Sequence, residues 1–62
     1  MKMDQMVLGE VYRDKMTGFE GVCTGMSWFW YGRDTVMLEN ADDSDEPVRF
    51  WIAVERAVRK EN

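Results

Sequence analysis

The chain has 62 residues, a formal net charge of −4 and one cysteine, and it contains no histidine. A chain this short forms one domain at most, over residues 1–62, with no internal disulfide and no zinc site of the usual kind. The negative charge makes a general nucleic-acid binder unlikely, because non-specific binding depends on neutralising phosphates.

The N-terminal residues 1–5 are expected to form a flexible tail. The stretch Met1–Met6 is interrupted by polar residues and lacks the apolar run of a signal peptide. No segment approaches the ~20 apolar residues of a membrane span. The sequence therefore predicts a cytoplasmic protein with no membrane contact, in which Cys23 stays reduced and fills a core position.

Five short strands are predicted, each rich in β-branched and aromatic residues. They are Met6–Arg13, Phe19–Trp30, Thr35–Leu38, Val48–Ile52 and Val58–Lys60. Gly9 is expected to form a bulge in the first strand, and Gly21 and Gly25 are expected to bend the second strand sharply. Turns are predicted at Asp14–Gly18 and, centred on Gly32, at Tyr31–Asp34.

A helical turn is predicted at Ala53–Ala57, just before the last strand. The competing interpretation is one helix from about Arg49 to Lys60, but the β-branched and aromatic start at Val48–Ile52 weighs against it. Five strands, a bent second strand and one helical turn form the ground plan of an SH3-like barrel. The sequence therefore predicts a mainly β fold, a small SH3-like five-stranded barrel.

The segment Asp14–Gly21 reads D-K-M-T-G-F-E-G. Thr24-Gly25, an aromatic stretch ending at Gly32, a polar insert and a closing segment from Trp51 follow it. In these parts the chain resembles a family of small phage and prophage proteins with a strand ending in Asp and then K-x-T-G-F-E-G. The resemblance covers most of the chain from Leu8 onward, and TGFEG is its only tight motif.

The chain departs from the family pattern in two places. Arg33 stands where the family usually has a cysteine, and the closing segment Trp51–Glu55 reads W-I-A-V-E instead of W-F-D-E. The resemblance implies phage or prophage origin and a compact β fold. Its members are mostly of unknown function, so a role in blocking a host factor or a defence component is an expectation by analogy.

The chain contains three tryptophans, two tyrosines and three phenylalanines, more than a small barrel can bury. In a strand, Trp28 and Trp30 lie on one face while Phe29 and Tyr31 lie on the other. One pair is then expected to fill the core and the other to lie in a contact between copies of a homo-oligomer. The alternative is a recognition surface that anchors a partner protein or stacks on a base. The predicted partner-binding residues are Trp28, Trp30, Tyr31 and Trp51.

Two groups of charged residues are further candidates. Arg13, Arg33 and Arg49 can clamp a phosphate or a carboxylate, and the alternative is solvated charges at strand ends. The acidic loop over Glu39–Pro47 can imitate a phosphate backbone and contact a partner, and the alternative is an ordinary solvated loop. Its candidate residues are Asp42, Asp43, Asp45 and Glu46. The loop lacks the glycine and the closing ligand of a calcium loop.

No nucleophile–base pair or phosphate-cradling glycine loop is recognisable, and a site built from Glu10, Glu20 and Glu55 needs a cleft that a small barrel rarely supplies. The predicted function is therefore non-enzymatic and needs no cofactor. It is an accessory, counter-defence protein that blocks a host factor by protein–protein contact. One alternative is an oligomeric sponge that sequesters an anionic nucleotide, with Arg33 and Arg13 as ligands. Another is a minor structural component of the virion.

Overall fold

A computed structural model describes residues 2–40 and 48–60, and it shows five antiparallel strands in one sheet. The strands are β1 (Val11–Asp14), β2 (Glu20–Ser27), β3 (Thr35–Asn40), β4 (Val48–Ala53) and β5 (Ala57–Arg59). Two short 3-10 turns, Met3–Gln5 and Val54–Arg56, are the only helical elements of the described chain. The predicted mainly β fold is confirmed.

The strand order in the sheet is β4-β3-β2-β1-β5. The first residues of β2 pair with β1, and from Val22 onward β2 pairs with β3. The register between β2 and β3 shifts at Thr24, between Cys23 and Gly25. This bulge lies beside one of the two glycines that were predicted to bend the second strand.

Close packing at Gly21 requires a residue without a side chain. A Cβ added there would lie 2.8 Å from both the carbonyl carbon and the carbonyl oxygen of Glu39. Real Cβ atoms essentially never come so near to a neighbouring backbone. Gly21 is therefore needed where β2 crosses the end of β3.

The sheet has two edge strands, β4 and β5, which the 3-10 turn at Val54–Arg56 connects. Within residues 2–40 and 48–60, no ladder joins these two strands. The described structure is thus a five-stranded sheet with the predicted elements, and closure into a barrel is not shown. The helical turn followed by a strand is confirmed, and a single helix from Arg49 to Lys60 is wrong.

The core lies on one face of the sheet, where alternate residues of the strands point inward. Its buried members are Met6, Tyr12, Cys23, Val36, Leu38, Ile52, Val54 and Ala57. Tyr12 is fully buried, and its hydroxyl oxygen accepts a hydrogen bond of 2.8 Å from the backbone N–H of Val7. Cys23 is also fully buried, as the sequence predicted.

The N-terminal part of the chain differs from the prediction. The first strand begins at Val11 instead of Met6, because residues 7–10 form a turn in which Glu10 donates its backbone N–H to the carbonyl of Val7. Gly9 has a φ of +91° in this turn. Its N–H bonds to the carbonyl of Cys23, and the N–H of Cys23 bonds to the carbonyl of Glu10, so two residues lie opposite one residue of β2. The bulge predicted at Gly9 is therefore present, just before the first strand begins. Within the predicted tail, the 3-10 turn places Met3 against the core.

Candidate interaction surface

Four consecutive aromatic residues occupy the connection between β2 and β3, residues 28–34, which we call the aromatic loop. Their exposed fractions are 64% for Trp28, 55% for Phe29, 92% for Trp30 and 89% for Tyr31. The prediction that one pair of these residues fills the core is wrong. All four present most of their surface to solvent.

The aromatic loop is not a strand because it has no partner to pair with. The ladder of β2 with β3 closes at Ser27 and Thr35, and the carbonyl of Asp34 instead accepts a 3.0 Å hydrogen bond from the N–H of Val54. Gly32 reverses the chain with a φ of +120°, which favours glycine. The second strand therefore ends at Ser27, three residues earlier than predicted.

Trp28 contributes to a wide, open hollow of about 730 Å³ at the base of the aromatic loop. The hollow has apolar walls from Met3 and Val54 and carboxylates from Asp4, Asp34 and Glu55 along its rim, together with Lys2. Trp30 and Tyr31 extend further into solvent than Trp28, so they form the tip of the loop.

The fourth predicted partner-binding residue, Trp51, lies on the sheet and not in the loop. It pairs with Met37 of β3, which in turn pairs with Gly25 of β2. A Cβ at Gly25 would lie 3.3 Å from Cη2 of Trp51, so the indole covers this glycine. Half of the tryptophan surface nevertheless remains exposed.

The D-K-M-T-G-F-E-G segment is organised around one buried carboxylate, that of Asp14. Its Oδ1 accepts hydrogen bonds from the backbone N–H of Met16 at 2.9 Å and from Nε of Arg56 at 3.0 Å. Its Oδ2 accepts from the hydroxyl of Thr17 at 2.9 Å and from Nη2 of Arg56. The two-pronged pair with Arg56 joins the turn after β1 to the 3-10 turn before β5.

The rest of this segment holds the same turn. Gly18 has a φ of +80° and donates its N–H to the carbonyl of Asp14, and the N–H of Phe19 bonds to the hydroxyl of Thr17. The N–H of Lys15 bonds to the carbonyl of Arg56. The motif that carries the family resemblance therefore builds the turn itself. Sequence reasoning missed the partnership with Arg56, because an ion pair between residues 42 positions apart leaves no local pattern.

A small groove of about 290 Å³ lies between this turn and β4. Phe19 and Phe50 form its aromatic side, with ring centroids 5.1 Å apart and an interplanar angle of 84°. Asp14, Thr17, Trp51, Ile52 and Arg56 complete its lining. Phe19 and Phe50 were not among the predicted site residues, although the sequence analysis placed both of them in predicted strands.

The three arginines that were predicted to bind an anion lie in three separate places. Arg33 is exposed in the aromatic loop, and Arg13 is on β1. Arg49 is on β4, where its Nε lies 4.0 Å from Oε1 of Glu39. Because β2 and β3 lie between β1 and β4 in the sheet, Arg13 and Arg49 are on strands that are not neighbours. Only Arg33 shares the loop of the exposed aromatic residues.

Arg13 belongs instead to a basic hollow of about 200 Å³ with Arg59, Lys60 and Glu20. In this hollow Nζ of Lys60 donates to Oε2 of Glu20 at 2.7 Å, and this ammonium lowers the pKa of the exposed Glu20 carboxyl.

Two buried groups also have shifted pKa values. At the turn after β1, hydrogen bonding from Arg56 lowers the pKa of the Asp14 carboxyl despite its burial. Burial raises the pKa of the Cys23 thiol, which fits a core residue and not a nucleophile.

The three carboxylates considered for catalysis occupy different places. Glu10 precedes β1, Glu20 begins β2 beside Lys60, and Glu55 lies in the second 3-10 turn. No group of three or more cysteine, aspartate or glutamate side chains suited to a metal ion occurs in the part of the chain that the structure describes. Asp42, Asp43, Asp45 and Glu46 of the predicted acidic loop lie outside that part.

In the described ranges, no helix is long and apolar enough to cross a membrane. Comparison with known proteins found no matching family model, no matching curated protein and no matching solved structure.

Proposed function

We propose that this chain is a small, non-enzymatic binding protein that acts by protein–protein contact through the aromatic loop. The observation that supports the proposal is the exposure of Trp30 and Tyr31, at 92% and 89%, on the tip of a loop outside the core. Tryptophan and tyrosine dominate the binding energy of protein interfaces. The setting that the family resemblance implies is a phage or prophage accessory protein that counters host defence by blocking a host factor.

The loop is well suited to this role because the fold does not need its side chains for packing. The buried core consists of residues from the strands, the second 3-10 turn and Met6. Exposed aromatic residues also lose little conformational freedom on binding, since each ring has only two rotatable side-chain bonds. Selection on the loop can therefore proceed without loss of the fold.

The test is binding of a purified host partner that is first captured on the immobilised chain and identified. We expect Trp30→Ala to weaken the complex by at least about 2 kcal/mol, roughly 30-fold in Kd. The matched control is Met16→Ala, because Met16 is also exposed but lies in the turn after β1. Equal affinity of the wild type and the Trp30 variant for the partner, with loss only in the Met16 variant, would refute the proposed surface.

A second candidate function is supported by the position of Arg33 in the same loop as Trp30 and Tyr31. A guanidinium beside aromatic rings can hold the phosphate of a nucleotide while a ring stacks on its base. Thermal unfolding with a panel of cyclic and linear nucleotides separates the candidates. A ligand at 100 times its Kd adds about 2.7 kcal/mol to the stability. A shift that is lost in Arg33→Ala favours the nucleotide sponge, and no shift with any nucleotide excludes it.

A further inference from the structure

The edge strand β4 carries large apolar residues that the described structure covers only in part. Val48, Phe50 and Trp51 are each between 43% and 53% exposed. Phe50 pairs with the buried Leu38 and thus lies on the core face of the sheet, yet half of its surface is open. Its exposure arises because no described strand lies beyond β4 to complete that face.

The hydrogen-bond pattern shows which backbone groups of β4 point away from the sheet. The N–H of Val54 bonds to the carbonyl of Asp34, which continues the register that pairs Ala53 with Thr35. In an antiparallel ladder, hydrogen-bonded positions alternate along a strand. The even-numbered residues of β4 therefore bond to β3, and Arg49, Trp51 and Ala53 direct their N–H and C=O groups to the open edge.

The two edges of the sheet differ in how they discourage pairing with another chain. Proteins usually protect an edge strand by making it short or by placing charges on it. The β5 edge has three residues and is followed by Lys60 after Arg59, whereas the β4 edge has six residues with the sequence V-R-F-W-I-A. The β4 edge carries one charge, Arg49, and lacks the protection of β5.

We propose that two copies of this chain associate by pairing their β4 strands antiparallel across a two-fold axis. An axis perpendicular to the sheet keeps the core face of one copy continuous with the core face of the other. Two registers are then possible. In one, Phe50 lies opposite Phe50 of the partner subunit, and in the other, Trp51 lies opposite Trp51 of the partner subunit. Both registers bury aromatic surface, and neither places Arg49 opposite the partner's Arg49, so no like charges meet. The result is a continuous ten-stranded sheet.

The strand that pairs with the β4 edge is β4 of a second copy, because the side chains of two antiparallel β4 strands are suitable neighbours for each other. In the register centred on Phe50, Arg49 lies opposite Trp51 of the partner subunit on the outer face, where a guanidinium can lie over the indole. In the register centred on Trp51, Phe50 lies opposite Ile52 of the partner subunit on the core face. Each register thus gives an exposed ring of β4 a cationic or apolar neighbour from the second copy.

The test is the solution mass of the full chain over a wide concentration series, measured by light scattering after gel filtration. We expect a dimer for the wild type and a monomer for Trp51→Lys, which places a charge on the edge. Arg49→Pro should also be monomeric, because it removes an outward N–H that β3 does not use. Arg49→Ala keeps that N–H and is expected to remain dimeric, and circular dichroism checks that each variant is folded.

Two results would overturn the pairing: a wild-type monomer at every concentration, or a dimer that persists in folded Trp51→Lys and Arg49→Pro. Val58→Lys, on the opposite edge strand, should leave the dimer intact. Trp30→Lys should also remain dimeric while it loses the partner of the aromatic loop. The dimer and the proposed function can therefore fail independently, since one depends on β4 and the other on the loop.

Discussion

At the scale of single residues, the D-K-M-T-G-F-E-G segment contributes to the fold. Asp14 is buried by its own hydrogen-bond partners, Gly18 adopts a positive φ, and Gly21 has no room for a Cβ. Asp14 and Gly18 stabilise the turn after β1, and Gly21 allows β2 to cross the end of β3. The segment therefore has a structural role in this chain.

Replacing Asp14 with asparagine should destabilise the fold by about 1–2 kcal/mol. Asparagine presents an amide N–H₂ where Nη2 of Arg56 now donates, so two donors face each other. The cost stays in this range because Arg56 is partly exposed and water screens its charge. Urea unfolding of the wild type and the variant measures the difference, and Glu20→Gln, which breaks an exposed pair, should change it little.

The same substitution changes how stability depends on pH. Because the pKa of Asp14 is lowered in the folded state, its contribution is complete above about pH 5 and is lost as the pH falls below about 4 toward that lowered pKa. The acid limb of the stability curve should therefore be flatter for Asp14→Asn than for the wild type. Parallel acid limbs would show that the pair with Arg56 contributes nothing to stability.

At the scale of elements, β2 is the strand that connects the two parts of the sheet. Gly21→Ala should cost more than 2 kcal/mol, because the added methyl meets the backbone of Glu39 and the ladder between β2 and β3 must open. In the matched substitution Gly25→Ala, the added methyl lies 3.3 Å from the ring of Trp51, a half-exposed side chain that can move, and 3.5 Å from Cβ of Met37, which is an ordinary contact. Gly21→Ala should therefore have a lower melting temperature than Gly25→Ala. Thermal melts measure both values, and equal melting temperatures would contradict this prediction.

The sequence was sufficient for the elements whose pattern is local. The β-branched and aromatic residues at Val48–Ile52 predicted β4, and the helical turn predicted at Ala53–Ala57 is found at Val54–Arg56. Residues 28–30 of the aromatic loop were assigned to the second strand because tryptophan and phenylalanine favour strands, whereas the turn predicted at Tyr31–Asp34 does lie in this loop. Propensity failed there because a strand also needs a partner, and β3 begins only at Thr35.

The candidate site was predicted in part. Composition indicated that some aromatic residues must remain exposed, and Trp28, Trp30 and Tyr31 do so in one loop. Which of the aromatic residues are buried and which are exposed depends on where β2 ends, and the composition of the chain does not show that. The groove between Phe19 and Phe50 and the pair of Asp14 with Arg56 depend on contacts between distant parts of the chain. Such contacts are set by the strand order and have no local signal.

At the scale of the whole molecule, the described residues place exposed aromatic side chains at the tip of the aromatic loop and on the edge strand β4. A short chain has little interior, so large side chains that do not fit remain at its surface unless another molecule covers them. In the proposed arrangement, the edge binds a second copy and the loops remain free for the partner. One small fold thus separates assembly from recognition.

We infer that the fold does not require the side chains at the tip of the aromatic loop, and the unfolding free energy of the double variant Trp30→Ser, Tyr31→Ser measures this. Because both side chains are about nine-tenths exposed, we expect cooperative urea unfolding with a free energy within about 0.5 kcal/mol of the wild type. A double variant that is several kcal/mol less stable, or that no longer unfolds cooperatively, would show that these rings are part of the core and contradict the claim.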